Sequence, residues 1–337
     1  MKWRFHNRLM VAVALLTLFG GAAFAISERA KLEFQKTDFS KTSVNLDDVV
    51  SGGPPRDGIP PIDRPRFAPV GSIQEIGDQE PVISIRIGGK ARAYPFRVLI
   101  WHEVVNDSFQ GEPITVTFCP LCNSAVVFSR KVDGRVLDFG TTGRLRNSDL
   151  VMYDRQTETW WQQFTGEAII GELTGTELKR LPARIEAFGI FKKRHPDGDV
   201  LPPVPSSRRP YGFNPYANYD SLSQPFLYGG DLPSGIPALA RVVTVGKQAW
   251  SLEYVRKKGR IETADGLVIT WRAGQNSALD DRRIDKGKDV GNVLVQRRVE
   301  AVAGNGERPL LEDVAYGVDF AFAFHAFHPD VKIVTSD

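Results

Sequence analysis

Cysteine is nearly absent from this chain, with two in 337 residues. Two cannot build a disulfide scaffold, and a chain of this length buries an adequate core without one. Histidine is scarce too, with five, so few candidate metal ligands need weighing. Beyond the first 25 residues no apolar run could span a membrane, which takes about 20 residues. A Gly-rich phosphate loop, a nucleophile elbow and a Ser-His-Asp order are all missing. "GTTGRL" lacks the Lys-Ser/Thr of a phosphate loop, so no nucleotide cofactor is expected.

A surplus of positive charge is missing as well. Lys2, Arg4 and Arg8 precede an apolar stretch, Leu9 to Ala25, that ends in Ala23-Phe24-Ala25. This is the pattern of a secretory signal peptide cut after Ala25. The rival reading is an uncut anchor, and Gly20-Gly21 weakens its helix. Of the 43 basic residues, the 40 outside the leader equal the 40 acidic ones. A neutral mature chain offers no nucleic-acid surface, which needs a clustered basic face. The expected location is periplasmic or extracellular, with membrane attachment only through an uncut leader. The expected partner is a small ligand or another envelope protein.

The remainder has ordinary globular composition, 42% hydrophobic and 25% charged. Residues 26–51 read as a loosely structured lead-in, and 52–337 as a single domain. "SGGPPRDGIPPIDRPRF" is an extended strap, since its prolines forbid regular helix. Strands begin at "PVISIRIGGKARAYPF", a hairpin about Gly88-Gly89. "FRVLIWHEVVND" reads as a short helix after Pro95. "PITVTF" is a strand that delivers Cys119, and "AVVFSRKVDGRVLDFG" is a hairpin turning at Asp133-Gly134. "ARIEAFGIFKKRHPDG" reads as a helix, and "VDFAFAFHAFHP" as a final strand. The fold class is α+β and β-rich, with antiparallel strands, hairpins and a few short helices.

The chain also echoes itself. "VTVGKQAWSLEYVRKKGRI…DGLVITWRAGQNSALD" repeats the order strand, Gly-Lys turn, strand, helix, strand of "IRIGGKARAYPFRVLIWHEV…GEPITVTFCPLCNSAV". This suggests an old duplication. Cys119 then falls on Arg272 and Cys122 on Gln275, so the scaffold folds without cysteines and the pair is a local addition.

The segments "DGIPPID", "ARAYPFRVLIWHEVVND", "TFCPLCNSAVVF", "FGTTGRLRNSDLVMYDRQTETWWQQFTGEAIIGELTG", "RRPYGFNPYANYDS" and "FHAFHP" together resemble the bacterial family called domain of unknown function 3179. The resemblance spans roughly residues 52 to 330. It implies one long domain and no established activity, so function rests on the residues.

Cys119-Pro-Leu-Cys122 admits three readings. A metal knuckle would aim two sulfurs at one zinc or copper ion, with Asn123 tolerating a left-handed turn. A thioredoxin-like dithiol would need a helix after the motif to lower a thiol pKa, and the residues after Cys122 read as hairpin instead. A plain disulfide is what an oxidising compartment makes of an exposed pair. One knuckle supplies two ligands and a site needs three or four. The candidates to complete it are His102, His325 and His328. "WHEVVND" is one letter from a zincin motif, but the second histidine is Asn106, which excludes a metalloprotease. His325 follows Ala321 and Ala323 on one face of the expected strand.

"GTTGRLRNSDLVMYDRQTETWWQQFTGEA" is dense in polar groups. It would make a ligand cleft with Arg144, Arg146 and Asp149 as polar contacts and Trp161 for stacking. The bland alternative is a salt-bridged strand edge with one core Trp. Three functions thus stand beside each other: a soft-metal or thiol-dependent exported protein, an envelope dithiol oxidoreductase, and a non-enzymatic binding module braced by a disulfide.

Overall fold

The computed structural model describes residues 30–205, 207–299 and 310–337. The expected leader, residues 1–25, lies outside them. The alternating segment at 81 forms the antiparallel hairpin Pro81–Ile87 and Lys90–Pro95. Its turn residues Gly88 and Gly89 both have positive φ, the backbone that matches the twist of paired strands. The hairpin feeds the helix Phe96–His102 and then an antiparallel meander, Val104–Phe109, Glu112–Cys119 and Ser124–Ser129.

The second half repeats this order. Arg241–Val245 and Gln248–Ser251 form a hairpin, Leu252–Lys258 a helix, and Arg260–Glu262, Leu267–Arg272 and Asn292–Val299 the meander. The duplication runs further than the sequence echo. Each half closes with a strand that pairs with the first strand of its hairpin and runs into another seven-residue helix. These are Arg184–Ala187 with Phe188–Arg194, and Gly317–Phe320 with Ala321–Phe327. The two helices are anchored alike. Phe188 and Gly189 donate to the carbonyls of Glu80 and Asp78, as Ala321 and Phe322 donate to those of Ala240 and Ala238. They also end alike, at His195 (φ −137, ψ 69) and His328 (φ −139, ψ 62), each opening a His-Pro-Asp. Each histidine ring lies against a phenylalanine one turn back, Phe191 at 5.4 Å and Phe324 at 5.0 Å.

Two sequence expectations are corrected here. Residues 184–187 are strand, with helix only from Phe188. "VDFAFAFHAFHP" is strand to Phe320 and helix from Ala321. Its Ala/Phe alternation has period two, yet Ala321, Phe322, Ala323 and Phe324 are all buried. A helix covered on every side loses its amphipathic signature, so periodicity cannot identify it.

A five-stranded sheet is inserted in the first half and has no counterpart in the second among the described residues. Its order is Val49–Ser51, Phe139–Arg146, Asp149–Asp154, Trp160–Gln162 and Ala168–Ile170. The lead-in is built into it rather than loose. Phe34 is fully buried, edge-on to Tyr153 at 5.1 Å and Trp160 at 5.0 Å. The strap lies over the same sheet, where Gly52 N donates to Gly143 O and Asp57 N to Thr141 O. A Cβ on Gly143 would come within 2.0 Å of the Pro54 carbonyl oxygen, so only glycine fits under it. One core runs through both halves, from Ile62 to Ile333. Among the described residues no helix is long and apolar enough to cross a membrane.

Candidate functional site

The cysteines sit where the meander of the first half meets the inserted sheet. Cys119 ends one strand and pairs with Ser124, the start of the next, so residues 120–123 form the connecting loop. Asn123 closes the loop at φ 50, the left-handed conformation expected of it. Its side-chain amide donates to the Val318 carbonyl at 2.5 Å, and the Cys122 carbonyl accepts from the Phe320 amide at 2.9 Å. The last strand of the second half therefore latches the cysteine loop of the first.

The inserted sheet contributes Asp149. Asn147 and Ser148, at φ 53 and 63, make the tight turn between two long strands, and Asp149 is the first residue after it. Both thiols and an Asp149 carboxylate oxygen lie within 4.8 Å of one another. All three residues are buried, and the cysteines are not bonded to each other. Asp149 Oδ2 accepts from Gln162 Nε2 at 2.7 Å and from the Phe164 amide at 2.8 Å. Oδ1 meets no hydrogen-bond donor, and the Cys119 thiol donates instead to the Ser148 carbonyl at 3.8 Å.

Burial sets the electrostatics. It pushes the Asp149 carboxyl up to about 7 against the lowering effect of Gln162, Phe164 and the thiols. It raises the Cys119 thiol, and raises Cys122 further, with Cys119, Asp149 and Asp319 adding to the effect on Cys122. Desolvation disfavours the charged form of each group. Two thiols and a carboxyl buried together resist ionisation, and a cation among them would favour it.

Glu103 forms the next wall. It follows the helix Phe96–His102 as its C-cap, at φ 57 and ψ −31. The matching cap in the second half is Gly259, at φ 67 and ψ −34. The hydrogen bonds about the two caps also match. Glu103 N donates to Leu99 O and Gly259 N to Val255 O, while their carbonyls accept from Phe118 and Trp271. For a residue with a side chain such a backbone costs about 1–3 kcal/mol. Burial and then the Asp149 charge push the Glu103 carboxyl up to about 8. A cavity of about 90 Å³ reaches Cys119 and Glu103, with Arg144, Tyr216 and Pro54 among its other walls.

Of the remaining expected site residues, Arg144 lines that cavity and the others fall elsewhere. His102 is spent on structure, its Nδ1 on the Pro60 carbonyl at 2.7 Å and its Nε2 on the Tyr211 hydroxyl at 2.6 Å. His325 and His328 are half-buried on the last helix, and neither joins the cysteines. The arginine/tryptophan cleft does not form. Trp161 is fully buried and donates to Asp154 at 2.9 Å, so no face is free for stacking. Trp160 is buried too, where alternation would have exposed one of the pair; the lead-in covers the outer face of the sheet. Arg144 pairs with Glu33 at 3.1 Å. Arg146 bonds Gln162 and lies 5.8 Å over Phe327.

A family model described as "protein of unknown function (DUF3179)" matches residues 56–331. The chain belongs to that family. No curated protein and no solved structure matches it. The description of that family carries no chemistry to transfer to Cys119, Cys122 or Asp149.

Proposed function

We propose that this protein binds a soft or borderline metal ion, zinc or copper(I), through Cys119, Cys122 and Asp149. The observation that carries this reading is the buried donor set itself. Two thiols and a carboxylate come within 4.8 Å of one another, and Asp149 Oδ1 has no N–H or O–H donor. A divalent ion binds two thiolates and a carboxylate as a singly negative unit, and copper(I) favours sulfur donors. Three protein ligands with a cavity alongside is the donor count of a site that keeps one position for an outside ligand. The oxidoreductase reading has less support, because a reactive dithiol needs a lowered thiol pKa and burial raises both here. The leader's pattern supports export and, with it, metal capture in the envelope.

Metal content per chain tests the reading. The protein would be exported to a periplasm and purified without a histidine tag, beside Cys119→Ser and Asp149→Asn. Near-stoichiometric zinc or copper in the wild type, lost in both variants, supports it. Absence of metal from a wild type whose cysteines are reduced overturns it.

A further inference from the structure

The cavity beside Cys119 has one wall that the metal reading does not use. Glu103 is buried, yet its carboxylate makes no hydrogen bond or ion pair among the described residues. The hydroxyl of Tyr216, on the opposite chain segment, makes none either, and both residues line the same space. The cavity, about 90 Å³, has room for several waters or a molecule of a few heavy atoms. Beside these polar groups stand Leu121, Leu145, Leu150 and Ile59, which limit access by bulk solvent.

The duplication adds an independent observation. At the same cap position the second half carries Gly259, in nearly the same backbone conformation. Glycine is the residue that backbone favours. A glutamate there is a costly choice for the fold. Its side chain projects from the cap of the helix that leads into Val104–Phe109, the strand paired with the Cys119 strand, and the Phe118 amide donates to its carbonyl at 2.8 Å. That bond holds Glu103 in register with Cys119, one residue further on.

We propose that the cavity is a subsite for a small neutral ligand that donates a hydrogen bond, and that Glu103 is the acceptor that recognises it. The proposal rests on the metal reading, since the ligand would coordinate the ion from the cavity side while its N–H or O–H meets Glu103. Water, a small alcohol and an azole share this chemistry. Proton-free anions do not, because they bring no hydrogen for Glu103 to accept. Glu103 is thus a binding and positioning residue. It is not among the three groups that gather about one point.

Cobalt(II) is the probe, with imidazole and 1-methylimidazole as ligands. The two ligands share the coordinating nitrogen, and only imidazole keeps an N–H. Thiolate-to-cobalt absorption reports the metal, and shifts in the visible bands report the ligand. Wild-type protein should bind imidazole several-fold more tightly, about the value of one hydrogen bond to the Glu103 carboxyl oxygen. Glu103→Gly should abolish that preference while its melting temperature stays level or rises. Glu103→Gln, which keeps the side chain's size and an acceptor oxygen, should reduce it in part. Cobalt bound by the wild type with an unchanged ratio in Glu103→Gly overturns the subsite and leaves the metal reading standing. A melting temperature several degrees lower in Glu103→Gly makes the residue structural and also overturns it. No thiolate-to-cobalt absorption in the wild type removes both readings together.

Discussion

Glu103 and Gly259 occupy the same place in two copies of one motif, each ending a seven-residue helix with φ near 60 and ψ near −30. One copy keeps the residue that the backbone favours, and the other puts a carboxyl on the wall of the cavity that reaches Cys119. The contrast separates what the scaffold needs from what was added to it.

A first expectation concerns that backbone. Nothing lies within 4 Å of a Cβ built on Gly259, so Gly259→Ala meets no clash and its cost is conformational. It should lower stability by about 1 kcal/mol or more. Glu103→Gly should not lower the stability of the metal-free protein. Urea denaturation of the two variants compares them directly, and a matching loss in both would contradict the strain argument.

The group that orients Asp149 should matter to metal without touching it. Gln162 holds Oδ2 at 2.7 Å from a fully buried position. Gln162→Ala should weaken metal binding about 10- to 100-fold, the usual effect of losing an outer-shell partner. Competition with a chromophoric chelator measures this, and an unchanged affinity would argue that Asp149 is not a ligand.

His102 should behave in the opposite way. Both ring nitrogens are committed, to Pro60 and Tyr211. His102→Ala should cost about 1–3 kcal/mol of stability by stranding buried partners, with metal content per folded chain unchanged. Loss of metal from a variant that remains folded would restore the histidine to the site.

The pH dependence of the metal-free protein has a definite sign. Asp149 and Glu103 are pushed up from ordinary carboxyl values to about 7 and about 8. Between the unfolded and folded values the native state binds more protons than the unfolded chain. Stability should therefore fall as pH rises from about 4 to about 8, by up to about 1.4 kcal/mol per pH unit for each group. In the chelated protein the denaturation midpoint should drop across that window and level off above it. Saturating metal should offset the drop, because the bound ion favours the ionised ligands. A flat profile in chelator would mean that these carboxyls are ionised throughout.

Much of the scaffold was legible in sequence. Gly88-Gly89, Asp133-Gly134 and the alternating runs around them predict hairpins by turn chemistry, and the hairpins are there. Asn123 is in the left-handed conformation its place in the loop suggested. The last helix was not legible, because burial on all sides leaves no periodic face to read. The site was half legible. Cysteine spacing located two donors, but the third came from a different segment through the turn at Asn147 and Ser148, a tertiary fact. Asp149 was singled out for a cleft with Arg146 and Trp161, where the structure instead turns it toward the sulfurs. Glu103 had a signal that went unread. In the internal echo it aligns with Gly259, and a carboxylate opposite a helix-capping glycine marks a conformational exception.

The latch on the cysteine loop bears on how the protein is made. The Phe320 amide and the Val318 carbonyl, which hold Cys122 and Asn123, lie within 20 residues of the end of the chain. A polypeptide crossing a membrane or leaving a ribosome exposes its cysteines some 200 residues before those partners arrive. Until then the two sulfurs are open to oxidants and stray metals, and their closure waits on Val318 and Phe320.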